Sequence, residues 1–565
     1  MGNKLVDGSQ DNVDKQLVIL GGGLAGLSLA IQLKQQQPQV HITVIERLKH
    51  PVAEAAHKVG ESLVELASHY FSNVLGLKQH LQEKQLPKLG LRFFFRPDPN
   101  QAAEQRLQNT VELGAKNFPH SPSYQLDRGI FENFLAATCQ ELGVRFLDET
   151  KVIGLEINDK EKNHRIFIQN LANRERSTLE CRWVVDSCSR NSPIKRLLNL
   201  EKDSQSKVSA AWFRIACQLD ISELNDSPEW TAGHQRENSR WYSTNHFMGD
   251  GYWLWFIPLS SGSTSIGIVA ENASHPLATY NTITKAMAWL TQNEPMAATF
   301  IESRIDLLQD FRVLRNFSHD CQQVFNKNRW FSSGEAGVFL DPFYSPGSDF
   351  IAISNTFICH LIDTDINDKS SFPTKCLMLD KFYLNLFRNT ARIYQDLYPI
   401  FGHPVVMPIK ILWDFAVYWS FTAFIFIQGR FDESKSLFRL REHFEEIGQM
   451  NEHLQALLKQ WADEEPPHAN QIYIDPFNFA FLDELNQGLT KSFPDEDAFH
   501  QQFLANIQHL KCLYQFLCKT AYARFPHLKE TGASPILDDE LATSLDLSQL
   551  EDLLAKLTRQ IDPLN

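Results

Sequence analysis

Between residues 16 and 47 the chain runs through a simple rhythm of apolar and polar stretches. QLVIL is a short apolar run, GGGLAG a glycine turn, and LSLAIQLKQQQ carries its apolar residues at helical spacing. Pro38 breaks the helix and HITVIER returns as a strand. Strand, turn, helix and strand in this order predict a βαβ unit. Farther on, YQLDRGIFENFLAATCQ predicts a helix entered from a loop, and RWVVDSCSR at 182–190 predicts a buried strand ending in a polar turn. From about 208 to 270, SAAWFRIACQLDI, RWYSTNHFM, GYWLWFIPL and STSIGIVAE follow one another with turn signals between them. That pattern predicts an antiparallel sheet beside the nucleotide-type fold. Residues 329–358 return to strand, glycine turn and helix.

Beyond about 360 the pattern becomes helical. Leu437, Leu440, Phe444, Ile447, Leu454, Leu458 and Trp461 recur at three- and four-residue steps and mark one face of a long helix, which Pro466 and Pro467 end. The stretch 496–523 is again helical. The expected organisation is a polar tail at 1–15, an α/β unit with an interleaved antiparallel sheet at 16–365, and a helical C-terminal domain at 366–565. One segment, VVMPIKILWDFAVYWSFTAFIFI at 405–427, is apolar enough to raise the question of a membrane span. Pro408, Lys410 and Asp414 interrupt it, so a buried helix or a cavity wall is expected instead.

Composition narrows the function classes. The chain has 565 residues, 43% hydrophobic and 22% charged, which excludes a mainly disordered or fibrous protein. Its net charge of -14 disfavours nucleic acid and anionic lipid as partners. The 9 cysteines are odd in number and form no CxxC, so neither a disulfide framework nor a metal site is expected. Together with a polar N-terminus lacking an apolar signal segment, this predicts a cytoplasmic location.

The chemistry begins at Gly21-x-Gly23-x-x-Gly26. Glycines at this spacing permit a tight turn, a close approach by a pyrophosphate, and tight helix packing. Leu24, Ala25 and Gly26 then open the helix, where free N–H groups attract anions. Glu46 ends the second strand, placed to bind ribose hydroxyls. A single such fingerprint followed by more than 300 residues of interleaved sheet favours FAD over NAD.

Three later segments resemble signatures of the flavin monooxygenase superfamily: Asp127-Arg128, VVDSCSR at 184–190, and GEAGVFLDP at 334–342. The resemblance implies that Arg128 lies near the FAD phosphates and that Glu335 binds the ribityl chain. Glu335 replaces the usual Asp, and Ser189 stands where a Gly is common. Within that superfamily, Trp253-x-Trp255-x-Ile257-Pro258 matches the signature of the flavin-dependent halogenases. Phe339-x-x-Pro342-x-x-Ser345-x-Gly347 resembles their loop beside flavin and halide, and Lys58-Val59-Gly60-Glu61-Ser62 resembles their short loop after the second strand.

The resemblance implies further parts. Halogenases carry an essential lysine in the segment after that short loop, and of Lys78, Lys84 and Lys88, Lys88 has the matching distance from Leu75-Gly76 and from Phe93. The halide is held in the family by backbone N–H groups after the loop serine. Pro346 has none, which leaves Gly347 and Ser348, and Ser348 is also assigned to the cofactor. Tyr344 occupies the position of a substrate-gripping Glu in free-tryptophan halogenases, so a phenolic or pyrrolic substrate is expected, free or bound to a carrier protein.

The expected activity is therefore halogenation of an electron-rich aromatic in secondary metabolism, using FADH2 from a separate flavin reductase, O2 and a halide. Hypohalous acid would be delivered to Lys88. Two rivals remain: a halide-independent flavin monooxygenase or dehydrogenase on the same fold, which halide dependence of the product separates, and a flavin-binding or carrier-protein-docking component without turnover, which FAD content with no O2-dependent product would indicate.

Overall fold

A computed structural model describes residues 15–54, 59–96, 109–159, 162–202, 206–228, 230, 240–431, 434–467, 471–530 and 545–559. The chain folds as two compact units, each assembled from three segments: 1–84, 126–205 and 318–388 form the first, and 85–125, 206–317 and 389–565 the second. The boundary expected near 365 falls inside the helix Gly347–Asn367. The reason is topological. Strands distant in sequence close each sheet, so compactness does not follow chain order.

The first unit is built on a six-stranded sheet in the order Phe325–Asn326, Trp330–Ser332, Trp183–Asp186, Gln16–Leu20, His41–Ile45 and Arg145–Leu147. All neighbours are parallel except the first pair. The central strands are continuous apolar runs because both faces are covered. Val18, Leu20, Ile45, Val184 and Trp330 pack on one side with Ile166 and Ile168 from an antiparallel three-stranded sheet. The helices Leu24–Gln36, Arg128–Glu141 and Gly347–Asn367 pack together in the same unit.

The second unit contains an eight-stranded sheet in the order Leu308–Leu314, Val208–Ile215, Thr264–Glu271, Tyr252–Pro258, Ser243–Gly249, Gly90–Phe95, Val111–Leu113 and Ile472–Ile474. It includes the antiparallel run expected over 208–270. Period-two alternation sorts its side chains. Phe94, Phe247, Leu254, Phe256, Ile266 and Ile268 enter a core with Trp289 and Leu290 of the helix Ile283–Asn293. Phe93, His246, Trp253 and Trp255 occupy the other face, as the strand registers require.

The helical part of this unit agrees with its periodicity. Leu437, Leu440, Ile447, Leu454, Leu458 and Trp461 are buried along the helix Ser434–Glu464, while Phe444 is half-buried. The apolar segment forms the helix Val406–Ile427, with 78% of its most apolar window buried in the protein. Lys410 and Asp414 lie one turn apart and pair at 2.5 Å, while Gln455 donates to the other Asp414 oxygen at 2.8 Å. The two charges that interrupt the apolar run therefore satisfy each other inside the packed helices, the condition under which buried ions are tolerated.

Candidate functional site

The glycine turn closes where the strand Gln16–Leu20 ends. Gly21 has φ +104°, and a Cβ there would stand 2.5 Å from the Ser187 carbonyl oxygen. At Gly26 an added Cβ would stand 2.1 Å from the Gly21 carbonyl oxygen and 2.6 Å from Ser187 Oγ. Gly23 differs: its Cβ would meet nothing within 4 Å. The first and third glycines thus permit backbone packing, and the second leaves space on the open side of the turn. The helix begins at Leu24 without a side-chain cap or an acidic residue in its first turn. The N–H groups of Leu24, Ala25 and Gly26 precede the first intrahelical partner, so the helix start suits an anion.

Glu46 braces this turn. Its carboxylate accepts the N–H of Gly22 and that of Leu48, each at 2.8 Å and each on a different oxygen. Each oxygen keeps a second lone pair, which leaves capacity for ribose hydroxyls. These residues fit FAD: glycine clearance, unpaired N–H groups and a carboxylate converge at one strand–helix junction.

Arg128 begins the helix Arg128–Glu141. Its Nε and Nη2 reach Glu132 at 3.1 and 2.5 Å, and its Nη1 donates to the Val59 carbonyl. The arginine therefore fixes the Val59–Gly60 backbone of the short loop after the second strand; Lys58 of that motif lies outside the described residues. Glu335 stands in the one-turn helix Gly334–Ala336 and accepts a hydrogen bond from Ser189 Oγ. Below it, Asp186 accepts from the N–H groups of Cys188 and Ile194 at 3.0 and 2.9 Å. Complete burial pushes its carboxyl up to about 6.

The segment after Phe339 is a shaped turn. Asp341 accepts the Phe343 N–H at 3.0 Å, Pro342–Tyr344 makes a single 3-10 turn, and Ser345 takes left-handed backbone at φ +59°. Pro346 caps the helix Gly347–Asn367, and its carbonyl accepts the Phe350 N–H at 3.0 Å. The proline therefore sits one position ahead of the helix donors. Its missing N–H is not one of the first-turn groups, and Gly347 and Ser348 head a 21-residue helix with N–H groups that have no intrahelical acceptor. Asp349, the acidic residue of that turn, is engaged by the Ala67 N–H at 2.9 Å.

In the second unit, Lys88 ends the strand Leu86–Lys88, paired antiparallel with Ser123–Gln125. Of the three candidate lysines, Lys78 and Lys84 are exposed, whereas Lys88 is 1% exposed. Its charge acts on His246, a residue the sequence did not single out. His246 is fully buried, stacks on Phe93 at 4.7 Å, and lies 5.4 Å from the Trp253 ring. Its Nδ1 lies 3.1 Å from the Arg92 carbonyl oxygen. A carbonyl only accepts, so Nδ1 carries the proton. Burial first, and the Lys88 ammonium second, depress its pKa to about 3, so the ring is neutral near pH 7. Only the strand register, His246 opposite Phe93 and Trp255, exposes this neighbourhood.

This gives a stability prediction. A depressed histidine stabilises the fold above its unfolded value of about 6.5, and that contribution is lost as pH falls from 6.5 towards 3. Between pH 7 and pH 5 the His246 share of the loss is about 2 kcal/mol. His246→Phe, which can stack on Phe93 and does not titrate, should lose that much less in urea denaturation at the two pH values. An equal loss in both proteins would refute it.

Trp253 and Trp255 are 1% and 4% exposed, with ring centroids 5.6 Å apart. Each indole N–H is directed: Trp253 donates to Tyr398 Oη at 3.1 Å, Trp255 to Ser265 Oγ at 3.3 Å. Gly267 makes room, since a Cβ there would stand 2.2 Å from the Trp255 ring. Ile257 continues the same face, and Pro258 closes the strand. Among the described residues, no group of three His, Cys, Asp or Glu side chains could hold a metal ion.

Comparisons with known proteins point to a flavoprotein family. A family profile described as FAD binding domain matches residues 14–292. The flavin-dependent halogenase chlA of Dictyostelium discoideum is 26% identical over 434 residues, covering 72% of this chain and 69% of that protein. The flavin-dependent halogenase armH2 of Armillaria mellea is 23% identical over 348 residues, covering 59% of this chain and 62% of its own length. The chain thus spans less than two thirds of armH2. Among solved structures, halogenase PltM in complex with phloroglucinol and FAD superposes with a TM-score of 0.61 at 15% identity, over 91% of this chain and 96% of that one.

Proposed function

We infer, since the chain belongs to the flavin-dependent halogenase family, that this FAD-binding oxidoreductase halogenates an electron-rich aromatic small molecule, phenolic or pyrrolic, free or carrier-bound, with Lys88 directing the halogen. The observation that carries the reading is the burial of Lys88 with its charge acting on the neutral His246 imidazole, a ring that itself lies 5.4 Å from Trp253. The phloroglucinol complex of PltM supports a phenolic ring as the class of substrate. FAD, reduced by a separate flavin reductase in the cytoplasm, supplies with O2 the oxidising equivalents that turn halide into hypohalous acid.

The chain's own residues do the rest. The glycine turn and the start of the first helix hold the pyrophosphate, with Glu46 on ribose and Arg128 and Glu335 on the phosphate and ribityl portions. The N–H groups of Gly347 and Ser348 bind the halide. Trp253 and Trp255 keep the organic substrate away from the flavin. Lys88 binds hypohalous acid through its ammonium, or carries the halogen on Nζ, and fixes the point from which electrophilic halogen reaches the ring. The arene exchanges C–H for C–halogen as the O–halogen bond of hypohalous acid breaks, and its hydroxide leaves with the ring proton as water; if the halogen rides on Nζ, the N–halogen bond breaks and the ring proton returns to the amine. His246, neutral near pH 7, places no second positive charge beside Lys88.

The test is product mass spectrometry with the purified chain, FAD, a flavin reductase and NADH. Phenols and pyrroles are offered with bromide, with chloride and with neither. The expected product carries the bromine isotope doublet and forms only with halide. A gain of one oxygen irrespective of halide would replace this reading with that of a flavin monooxygenase.

A further inference from the structure

The two departures from the flavoprotein signatures, Ser189 and Glu335, meet in the first unit. We propose that Ser189 is a positioning residue for Glu335 and that the two act as a matched pair in binding FAD. The inference rests on the cofactor assignment above and adds a residue to it.

Glu335 is held at a fixed base. The turn Gly334–Ala336 is wedged against the first helix: a Cβ on Gly334, whose φ is +59°, would lie 3.3 Å from Ala25 Cβ and 3.0 Å from Ile351. The turn Ser189–Asn191 is laced to it. Ser192 Oγ donates to the Ala336 carbonyl at 2.8 Å, and Lys195 Nζ donates to the Gly337 carbonyl at 2.9 Å. Both turns being fixed, Ser189 Oγ and the Glu335 carboxylate meet at the solvent-exposed edge of two anchored backbones. Arg190, the next residue, adds a favourable charge interaction with Glu335.

The chemistry explains why the departures occur together. A glutamate arm is one methylene longer than an aspartate arm, so from the same base its carboxylate needs a partner to hold it back. Ser189 supplies the hydroxyl. It does so from left-handed backbone, φ +51°, where glycine is at ease and a residue with a Cβ is not. A serine tolerated there, with its hydroxyl on Glu335, is what a compensating pair requires.

The experiment is a double-mutant cycle read as the FAD dissociation constant of the full chain, by quenching of flavin fluorescence on titration into apoprotein. Ser189→Gly alone should weaken FAD about tenfold without lowering Tm, because glycine suits the backbone at that position. The same change in the Glu335→Asp background should cost less than about twofold, because the shorter arm no longer needs the hydroxyl. Ser189→Ala, which keeps the backbone strain, should weaken FAD as Ser189→Gly does. An equal cost in both backgrounds, or no cost in the first, overturns the pairing. Failure of the unaltered chain to bind FAD would overturn the cofactor assignment as well, and is visible without any variant.

Discussion

Lys88→Met is expected to lose halogenated product by at least about 10³-fold, the scale of removing a group that acts on the reacting atom. Methionine fills a similar volume without charge, so the buried site stays packed. FAD affinity and reductase-driven O2 consumption should be retained, since the proposed role of Lys88 comes after the oxidant is made. Lys88→Arg should fail nearly as badly. A guanidinium keeps the charge, but its fork geometry and high basicity do not match an ammonium that binds or carries a halogen. Lys78→Ala and Lys84→Ala are controls, being exposed, and should leave turnover within about twofold of the unaltered chain, as solvated surface residues do. Product formation within tenfold of normal in Lys88→Met would sink the assignment, whatever the halide result.

The second large effect is at the glycine turn. Gly26→Ala puts a methyl 2.1 Å from the Gly21 carbonyl oxygen, a distance at which backbone must move. We expect FAD affinity to fall at least about 100-fold, equivalent to about 2.7 kcal/mol, and Tm to fall several degrees. Gly23→Ala is the informative partner. Its methyl enters open space and its backbone, at φ -91°, suits any residue, so Tm should hold while FAD weakens. Steric loss of the turn and loss of cofactor clearance are thereby separated. If Gly23→Ala binds FAD normally, the pyrophosphate does not lie over that turn.

Much of this is legible in the sequence, for local reasons. The βαβ rhythm, the glycine spacing and the alternating tryptophans each lie within a few tens of residues, where period and turn chemistry speak directly. The interrupting residues predict a buried helix at 405–427, but not that Lys410 and Asp414 pair with each other inside it. What escaped were relations between distant segments. No local pattern indicates that Val111–Leu113 pairs with Ile472–Ile474, or that Leu86–Lys88 pairs with Ser123–Gln125. His246 carries no signal as a lone histidine in a strand. It becomes notable only when Phe93 from another segment stacks on it. The sequence sets Pro346 aside in favour of Gly347 and Ser348; what the structure adds is that these two begin the helix Gly347–Asn367.

The strand pairings also govern the order in which the nascent chain can become protein. Ser187 Oγ closes on the Leu20 carbonyl across 167 residues, and Tyr473 Oη on the Gly114 carbonyl across 359. At ribosomal rates of about 5–20 residues per second, the second gap alone takes roughly 20 to 70 s. Throughout that interval Val111–Leu113 waits beside Gly90–Phe95 with one edge unpaired, rich in the valine, leucine and phenylalanine that favour strand-to-strand association. Production of this chain in a foreign host should therefore depend on slow translation and on chaperones that shield strand edges. Genetic truncation before residue 472 should yield aggregate in place of a smaller enzyme.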